Sequence, residues 1–580
     1  MKVKISLSLC LGSCLVAGAL AAQEWPQWGR DPQHTGQVSI VGQALNQNVV
    51  NLVYDPLVAD EMAAANQAFG ENDLLAHYQA PLVDGNDVYM MFKSGKYSKT
   101  SYATQNWGET KYTWSGGTLV PVWAYATDWK APGNQNDFWE PVFHPALANG
   151  ALYVPGAGGS IWKVNKTTGT GSRINPFIGV DPNTYTASPI SVDAAGNVYY
   201  TVVQLQPSGD FYQKDAVDSW LVKVTPGDAI SRVSFSVLTA GAPAATAACA
   251  NAFSDEATLP WPPSPTSVAP SVTCGLQRAP LNVAPAIAPN GTIYLASRAH
   301  LLSREAFLVA VNPNLTQKWI ASLRNRFDDG CGVALNKGGQ LPPNGTPGGC
   351  RAGANLGVDP ATNTLGGGRI LDDSSASPVI APDGSVFFGA YTRYNYAQGH
   401  LMHFDANGNY LGAYLFGWDV TPGIYAHDGT YSVVTKDNHY GEVGSYCNVE
   451  AFCPEDRTAS FPAYGEQYFV SQLNKNMKVE WRFQNTNTLS CSRDANNNVS
   501  CVSDHPFGFE WCVNAFVIDA NGVVYANSED GWLFALNQGG MLKQKIFQQL
   551  ALGAAYTPTS IGNDGKIYSQ NAGHLFVAGN

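Results

Sequence analysis

The chain has 580 residues, a formal net charge of −12 and only 13% charged residues, with 58 glycines and 27 tyrosines. The acidic balance and the lack of any basic cluster argue against a nucleic-acid partner. Few charges, many turn-forming glycines and many aromatics point to an all-β chain rather than a helical one.

The first stretch, "MKVKISLSLCLGSCLVAGALAAQ", carries Lys2 and Lys4, then an apolar run, then Ala19-Leu20-Ala21. This is the pattern of a secretory signal peptide over residues 1–21, leaving one domain over 22–580. Neither Cys10 nor Cys14 stands where a lipid-modified cysteine would. No later run is long and apolar enough to span a bilayer. The expected location is the periplasm or the cell exterior.

Next comes "EWPQWGRDPQHTG" (24–36), then an apolar run, "NVVNLVYD" (48–55), with no partner near it. From there one hairpin recurs. "SPISVDAAGNVYY" (188–200), "APAIAPNGTIYL" (284–295) and "SPVIAPDGSVFFGAY" (377–391) each place a short apolar run, a tight turn and a second apolar run in sequence. Pro81, Pro145, Pro189, Pro285, Pro378, Pro422 and Pro558 open such hairpins, and Ala515 stands in the same place. The intervals Pro145–Pro189, Pro378–Pro422 and Ala515–Pro558 are 44, 44 and 43 residues. A period near 43 with glycine-bearing hairpins is the signature of propeller blades.

Each hairpin is followed by a third alternating run. Examples are "GSIWKVN" (159–165), "FLVAVN" (307–312), "GHLMHF" (399–404) and "GWLFALN" (531–537). Eight openings predict eight four-stranded antiparallel blades. Seven is the alternative, because residues 422–485 match the repeat least well. The last blade has only three strands, so 48–55 is expected to supply its fourth and close the ring. Trp319, Trp481 and Trp532 are expected to pack blade on blade.

Strand order places the B–C and D–A loops on one face and the A–B and C–D turns on the other. The long segments 93–117, 204–218 and 443–466 fall in B–C positions, and 240–283, 326–373 and 486–510 in D–A positions. Nearly all inserts therefore share a face, where binding usually resides. Of 11 cysteines, the nine beyond the signal peptide belong to these inserts or their edge. In an oxidising compartment their sequential spacing predicts Cys249–Cys274, Cys331–Cys350, Cys447–Cys453 and Cys491–Cys501 bridges, with Cys512 free.

The same face receives the start of each inner strand. The expected ligand-binding rim is His77, Tyr78, His144, Trp418, Asp419, His427, Glu510, Trp511 and Tyr556, with His77, His144 and His427 as candidate metal ligands. No catalytic residue is assigned.

The segment 24–36 and the repeated "SP-hydrophobic…DG-x-V-Y…L-x-A-hydrophobic-N/D" pattern resemble the PQQ-like (pyrroloquinoline quinone) β-propeller repeat superfamily. That superfamily includes quinoprotein dehydrogenases and the propeller subunit of the outer-membrane assembly machine. The resemblance spans almost the whole chain and implies the propeller fold. Trp418-Asp419 within "GWDVTPG" resembles a Trp-Asp element of the dehydrogenase branch. That branch is expected to carry a vicinal Cys-Cys pair, and this chain has none; it also lacks Cys-x-x-Cys-His, so no c-type haem is expected. Three functions follow as expectations: a binding propeller for a small molecule or another envelope protein, a quinoprotein-type oxidoreductase with pyrroloquinoline quinone, or a metal-dependent enzyme using rim histidines. A monomer is expected.

Overall fold

A computed structural model describes Trp25–Asn580 apart from residues 71–72, 99–101, 134–138, 208–215, 251–270, 301–302, 304, 325, 327–357, 360–363, 366–367, 393–398, 415–416, 440–466, 495–497, 512 and 551–555. The expected signal peptide, Cys331, Cys350, Cys447, Cys453, Cys512 and the insert 443–466 lie outside the described residues.

Alternating apolar residues put one face of each strand against a neighbouring sheet, and glycine or asparagine turns reverse the chain. The outcome is eight antiparallel four-stranded blades, A to D, over residues 82–126, 146–174, 191–234, 286–322, 379–414, 423–484, 517–547 and 560–579. The inner A strands are Leu82–Asp84, Ala146–Ala148, Ser191–Val192, Ala286–Ile287, Val379–Ile380, Gly423–His427, Val517–Ile518 and Ser560–Ile561. Each follows the proline, or Ala515, that announced it. The described residues of 422–485, the weakest match, form a regular sixth blade. The fourth strand of blade 8 is Gln47–Val53, paired antiparallel with His574–Gly579.

Blade-to-blade packing reuses one device. A D-strand tryptophan lies against a C–D turn glycine of the next blade: Trp123 against Gly169, Trp319 against Gly408, and Trp481 against Gly540. A Cβ at Gly408 would sit 2.7 Å from the Trp319 ring, and its φ of +85° already favours glycine. Trp532 instead packs on Phe547 within its own blade.

Two sequence expectations need correction. Residues 93–117 are not an insert, because strand B runs to Gly95 and strand C covers Gln105–Ser115. Long blade-1 strands absorb what looked like a loop. The D–A inserts 54–81 and 127–145 were missed. The first carries helix α1, Val58–Phe69, ended by Gly70 at φ 83°. In the described parts of the other inserts, Cys249–Cys274 joins a small hairpin ahead of blade 4. Cys491–Cys501 crosses directly opposed residues of another hairpin ahead of blade 7.

Before it supplies the closing strand, the N-terminal segment visits every blade on the A–B-turn face. Trp25 N donates to Val83 O of blade 1 at 3.1 Å, and Leu147 N of blade 2 to Pro26 O at 2.8 Å. Gln27 Nε2 donates to Val192 O of blade 3 at 3.1 Å. Ile287, Ile380, Ile424 and Ile518 N, in blades 4 to 7, donate to the carbonyls of Pro32, Gln33, Thr35 and Gly36. Gln43 N donates to Gly565 O of blade 8 at 2.8 Å. The "EWPQWGRDPQHTG" stretch is thus a girdle across the floor of the channel.

Candidate functional site

Above that floor, the mouth on the long-loop face is built by side chains from separate blades. His77, entering blade 1, stacks on Tyr556, entering blade 8, at a ring separation of 4.6 Å and 18°. A backbone bridge fixes this pairing, since Tyr78 N donates to Tyr556 O at 2.9 Å. Trp139 lies 4.9 Å from Tyr556 and 5.3 Å from His77. The Tyr556 hydroxyl donates to Asp419 Oδ2. Asp419 Oδ1 accepts from Ser375 N at 3.1 Å. Lys436, in strand B of blade 6, places Nζ 3.7 Å from Asp419 Oδ2 and 4.4 Å above the Tyr556 ring centre. Blades 1, 5, 6 and 8 therefore meet at one cluster, buried except for half-buried Trp139.

Burial dominates the electrostatics. It pushes the Asp419 carboxyl above the ordinary range, against the opposing pull of Lys436 and the Ser375 amide. It pulls His77 down to about 4, against carbonyl contacts from Glu140 and Asp373 and with help from Lys436. His77 Nδ1 is 3.0 Å from Glu140 O and Nε2 is 2.9 Å from Asp373 O. A neutral ring donates to only one of the two. A buried carboxyl, a phenol, an ammonium and an aromatic shelf are together suited to orient a small polar ligand.

A buried ionic knot supports this mouth from blade 1. Lys93 Nζ lies 2.7 Å from Asp55, 2.6 Å from Glu61 and 2.7 Å from Glu140. Glu61 comes from α1, so the helix is tied to strand B. Tyr78 OH donates to Asp55 Oδ2 at 2.6 Å, and the backbone carbonyl of Glu140 accepts from His77 N. Burial, then Asp55, drives the Glu61 carboxyl well above its usual range despite Lys93. Burial lowers the Lys93 ammonium, but the three carboxylates outweigh it and its pKa ends well raised.

Of the nine rim residues expected from sequence, His77, Asp419 and Tyr556 come together. Tyr78 turns away to Asp55. Trp418 packs on Tyr391 at 3.8 Å. Trp511 is a core residue against Phe483 and Phe534. Glu510 stays at the blade 7 rim, where Asn438 Nδ2 donates to it at 3.3 Å. His144 lies deeper, with its ring 5.3 Å from Trp28. His427 is on the opposite face: it ends strand A of blade 6, next to the Asp428-Gly429 turn, and bonds Ser432 Oγ at 2.9 Å. The metal set His77–His144–His427 is therefore not assembled. Among the described residues, no three His, Cys, Asp or Glu side chains are grouped to hold a metal ion.

Lys436 and Trp139 were missed from sequence. A lysine inside the apolar run "YSVVTKDNHY" was the available signal for the first, and the tryptophan of "DFWEPVFHP" for the second.

No protein-family model matches the chain, and a search of curated proteins returns no match. Among solved structures, the chain is similar to a europium-containing methanol dehydrogenase, at 11% identity and TM-score 0.48, covering 94% of this chain and 89% of that one. It is also similar to the quinohemoprotein alcohol dehydrogenase from Comamonas testosteroni, at 12% identity and TM-score 0.46, covering 97% and 81%. A third is BamB from Moraxella catarrhalis, at 9% identity and TM-score 0.37, covering 86% and 95%.

Proposed function

We propose that this eight-bladed propeller is an exported binding protein that holds a small polar ligand at its channel mouth, on the long-loop face. The observation that carries this is the convergence of Asp419, Lys436, Tyr556, His77 and Trp139 from different blades on one point. Packing alone would not require a buried carboxyl, an ammonium and a phenol in contact, because burying them costs more than burying apolar side chains. Lys436 would meet an anionic or carbonyl group of the ligand, Asp419 would accept or donate a proton, and half-buried Trp139 would cover an apolar face. The apolar-then-small pattern of residues 1–21 supports export.

A quinoprotein oxidoreductase is not favoured by these residues. A planar quinone needs a ring-wide slot and cations for its carboxylates. Here His77 and Tyr556 are already stacked on each other at 4.6 Å, which leaves no ring-wide slot between them. The residues of this cluster do not fit that group.

The test is a thermal-shift screen of the full chain against sugars, small carboxylates and amino acids, repeated on Lys436→Met. Compounds that raise the melting temperature of the wild type and not of the variant support the mouth. Equal shifts in both, or no shift with any compound, overturn it.

A further inference from the structure

The channel floor contains two imidazoles that the mouth does not use. His34 belongs to the N-terminal girdle, and His144 to the entry of blade 2. His34 Nδ1 lies 2.9 Å from Pro378 O, and His144 Nδ1 lies 2.7 Å from Pro145 O. A carbonyl oxygen only accepts, so in both rings Nδ1 carries the proton and Nε2 presents a bare lone pair. Both Nε2 atoms are buried with no hydrogen-bond partner, and the residues are 1% and 0% exposed. Asn514, also fully buried, has neither its side-chain oxygen nor its nitrogen bonded.

His34 and His144 adjoin the turn at Trp28–Gly29, and Asn514 is linked to it through Thr421. The His144 ring is 5.3 Å from the Trp28 indole. A Cβ on Gly29 would lie 2.6 Å from His34 Cβ. The Asn514 carbonyl accepts from Thr421 N, and the Thr421 hydroxyl accepts from Trp28 Nε1. Buried acceptors without partners are costly, and native proteins rarely keep several together. Holding Nδ1–H on a carbonyl, with Nε2 left without a protein donor, is how proteins orient metal-binding histidines.

We propose that His34 and His144 bind one late first-row divalent ion, Zn2+, Cu2+ or Ni2+, through their Nε2 atoms with Asn514 Oδ1 as a third donor. Imidazole donors select these ions over Mg2+ or Ca2+, which prefer oxygen cages. Burial holds both rings neutral, with His34 lowered to about 4 and His144 to about 3, the second further opposed by charge on the first. Neutral imidazole is the form that ligates. The ion would tie the N-terminal girdle to the channel wall, so its binding is linked to ring closure.

The experiment uses the full chain purified from cells grown with added zinc, washed with EDTA and assayed for metal. The expected content is about one zinc per chain, falling at least tenfold in H34Q/H144Q and unchanged in H505A, a control at a half-buried histidine outside the proposed site. Refolding the wild type with one equivalent of Cu2+ gives a second readout that needs no variant. Nitrogen hyperfine splitting from two imidazoles in the electron paramagnetic resonance spectrum is expected. Substoichiometric metal in the wild type, equal metal in the double variant, or a copper signal with fewer than two imidazole nitrogens would mean that water alone fills the site, and overturns the proposal.

Discussion

Trp28 Nε1 donates to Thr421 Oγ1 at 3.0 Å, joining residues 393 positions apart. Trp28 also packs edge-on against His144, so one indole links blade 2 to blade 6, opposite each other in an eight-bladed ring. The girdle is consequently part of the propeller core. Trp28→Ala should cost about 3–5 kcal/mol, the range for deleting a buried aromatic. Thr421→Val should cost about 1–3 kcal/mol by stranding the indole N–H. Denaturant unfolding checks both. Losses below about 0.5 kcal/mol would show the girdle to be a surface strap.

The tryptophan–glycine contacts between blades predict a position-specific glycine effect. Gly408→Ala faces both a φ of +85° and the Trp319 ring at 2.7 Å, whereas Gly539→Ala, at φ +86°, meets nothing within 4 Å. The first should destabilise by clearly more than the roughly 1 kcal/mol expected of the second from backbone strain alone. Equal losses would remove the packing argument.

The Lys93 knot predicts a pH dependence. Glu61 has a raised folded pKa, so the folded state keeps a proton that the unfolded chain releases. Its stabilising contribution is present below the unfolded value near 4.5 and is lost as pH rises toward the folded value. Lys93, also raised, contributes below its unfolded value near 10.5 and loses this as pH rises through the folded one. Glu61→Gln should therefore gain on the wild type as pH rises above about 4.5. Lys93→Met, which leaves three buried carboxyl groups without a cation, should cost about 3–5 kcal/mol. A wild-type-minus-variant difference that is flat with pH would contradict the assignment for Glu61.

The two described disulfides lie in hairpins outside the blades. Cys491→Ser with Cys501→Ser should reduce stability by no more than about 2–4 kcal/mol and leave the far-UV β signal intact. Non-reducing peptide mapping would check the Cys249–Cys274 and Cys491–Cys501 connectivity. Loss of the β signal in the variant would mean that the hairpin is integral to the ring.

The fold was legible because its information is local. A proline before each inner strand, a turn glycine after it and alternating Val, Ile and Tyr repeat in the sequence itself. Even the closing strand could be inferred, since the last blade counts only three. The site was less legible because it depends on which way a side chain points and on contacts between blades. His427 was placed at the mouth although Asp428-Gly429 immediately follows; those residues, at φ 47° and 72°, make the turn that puts His427 on the far face. Tyr78 sits beside His77, but alternation along an extended segment sends it outward to Asp55. Lys436 lies mid-strand, where a sequence pattern signals core, and only the ring geometry brings it to Asp419. The girdle's path past eight blades leaves no local periodicity to detect.

The measurement that bears most directly on a channel-mouth binding site is calorimetric titration of the strongest thermal-shift compound into wild type, Tyr556→Phe, Lys436→Met and His427→Ala. Binding at the mouth predicts affinity at least tenfold weaker in the first two variants, where the ligand-facing groups are lost, and unchanged in His427→Ala, which alters the opposite face. Weakening by His427→Ala with the two mouth variants unaffected would place the ligand on the turn face and contradict the account.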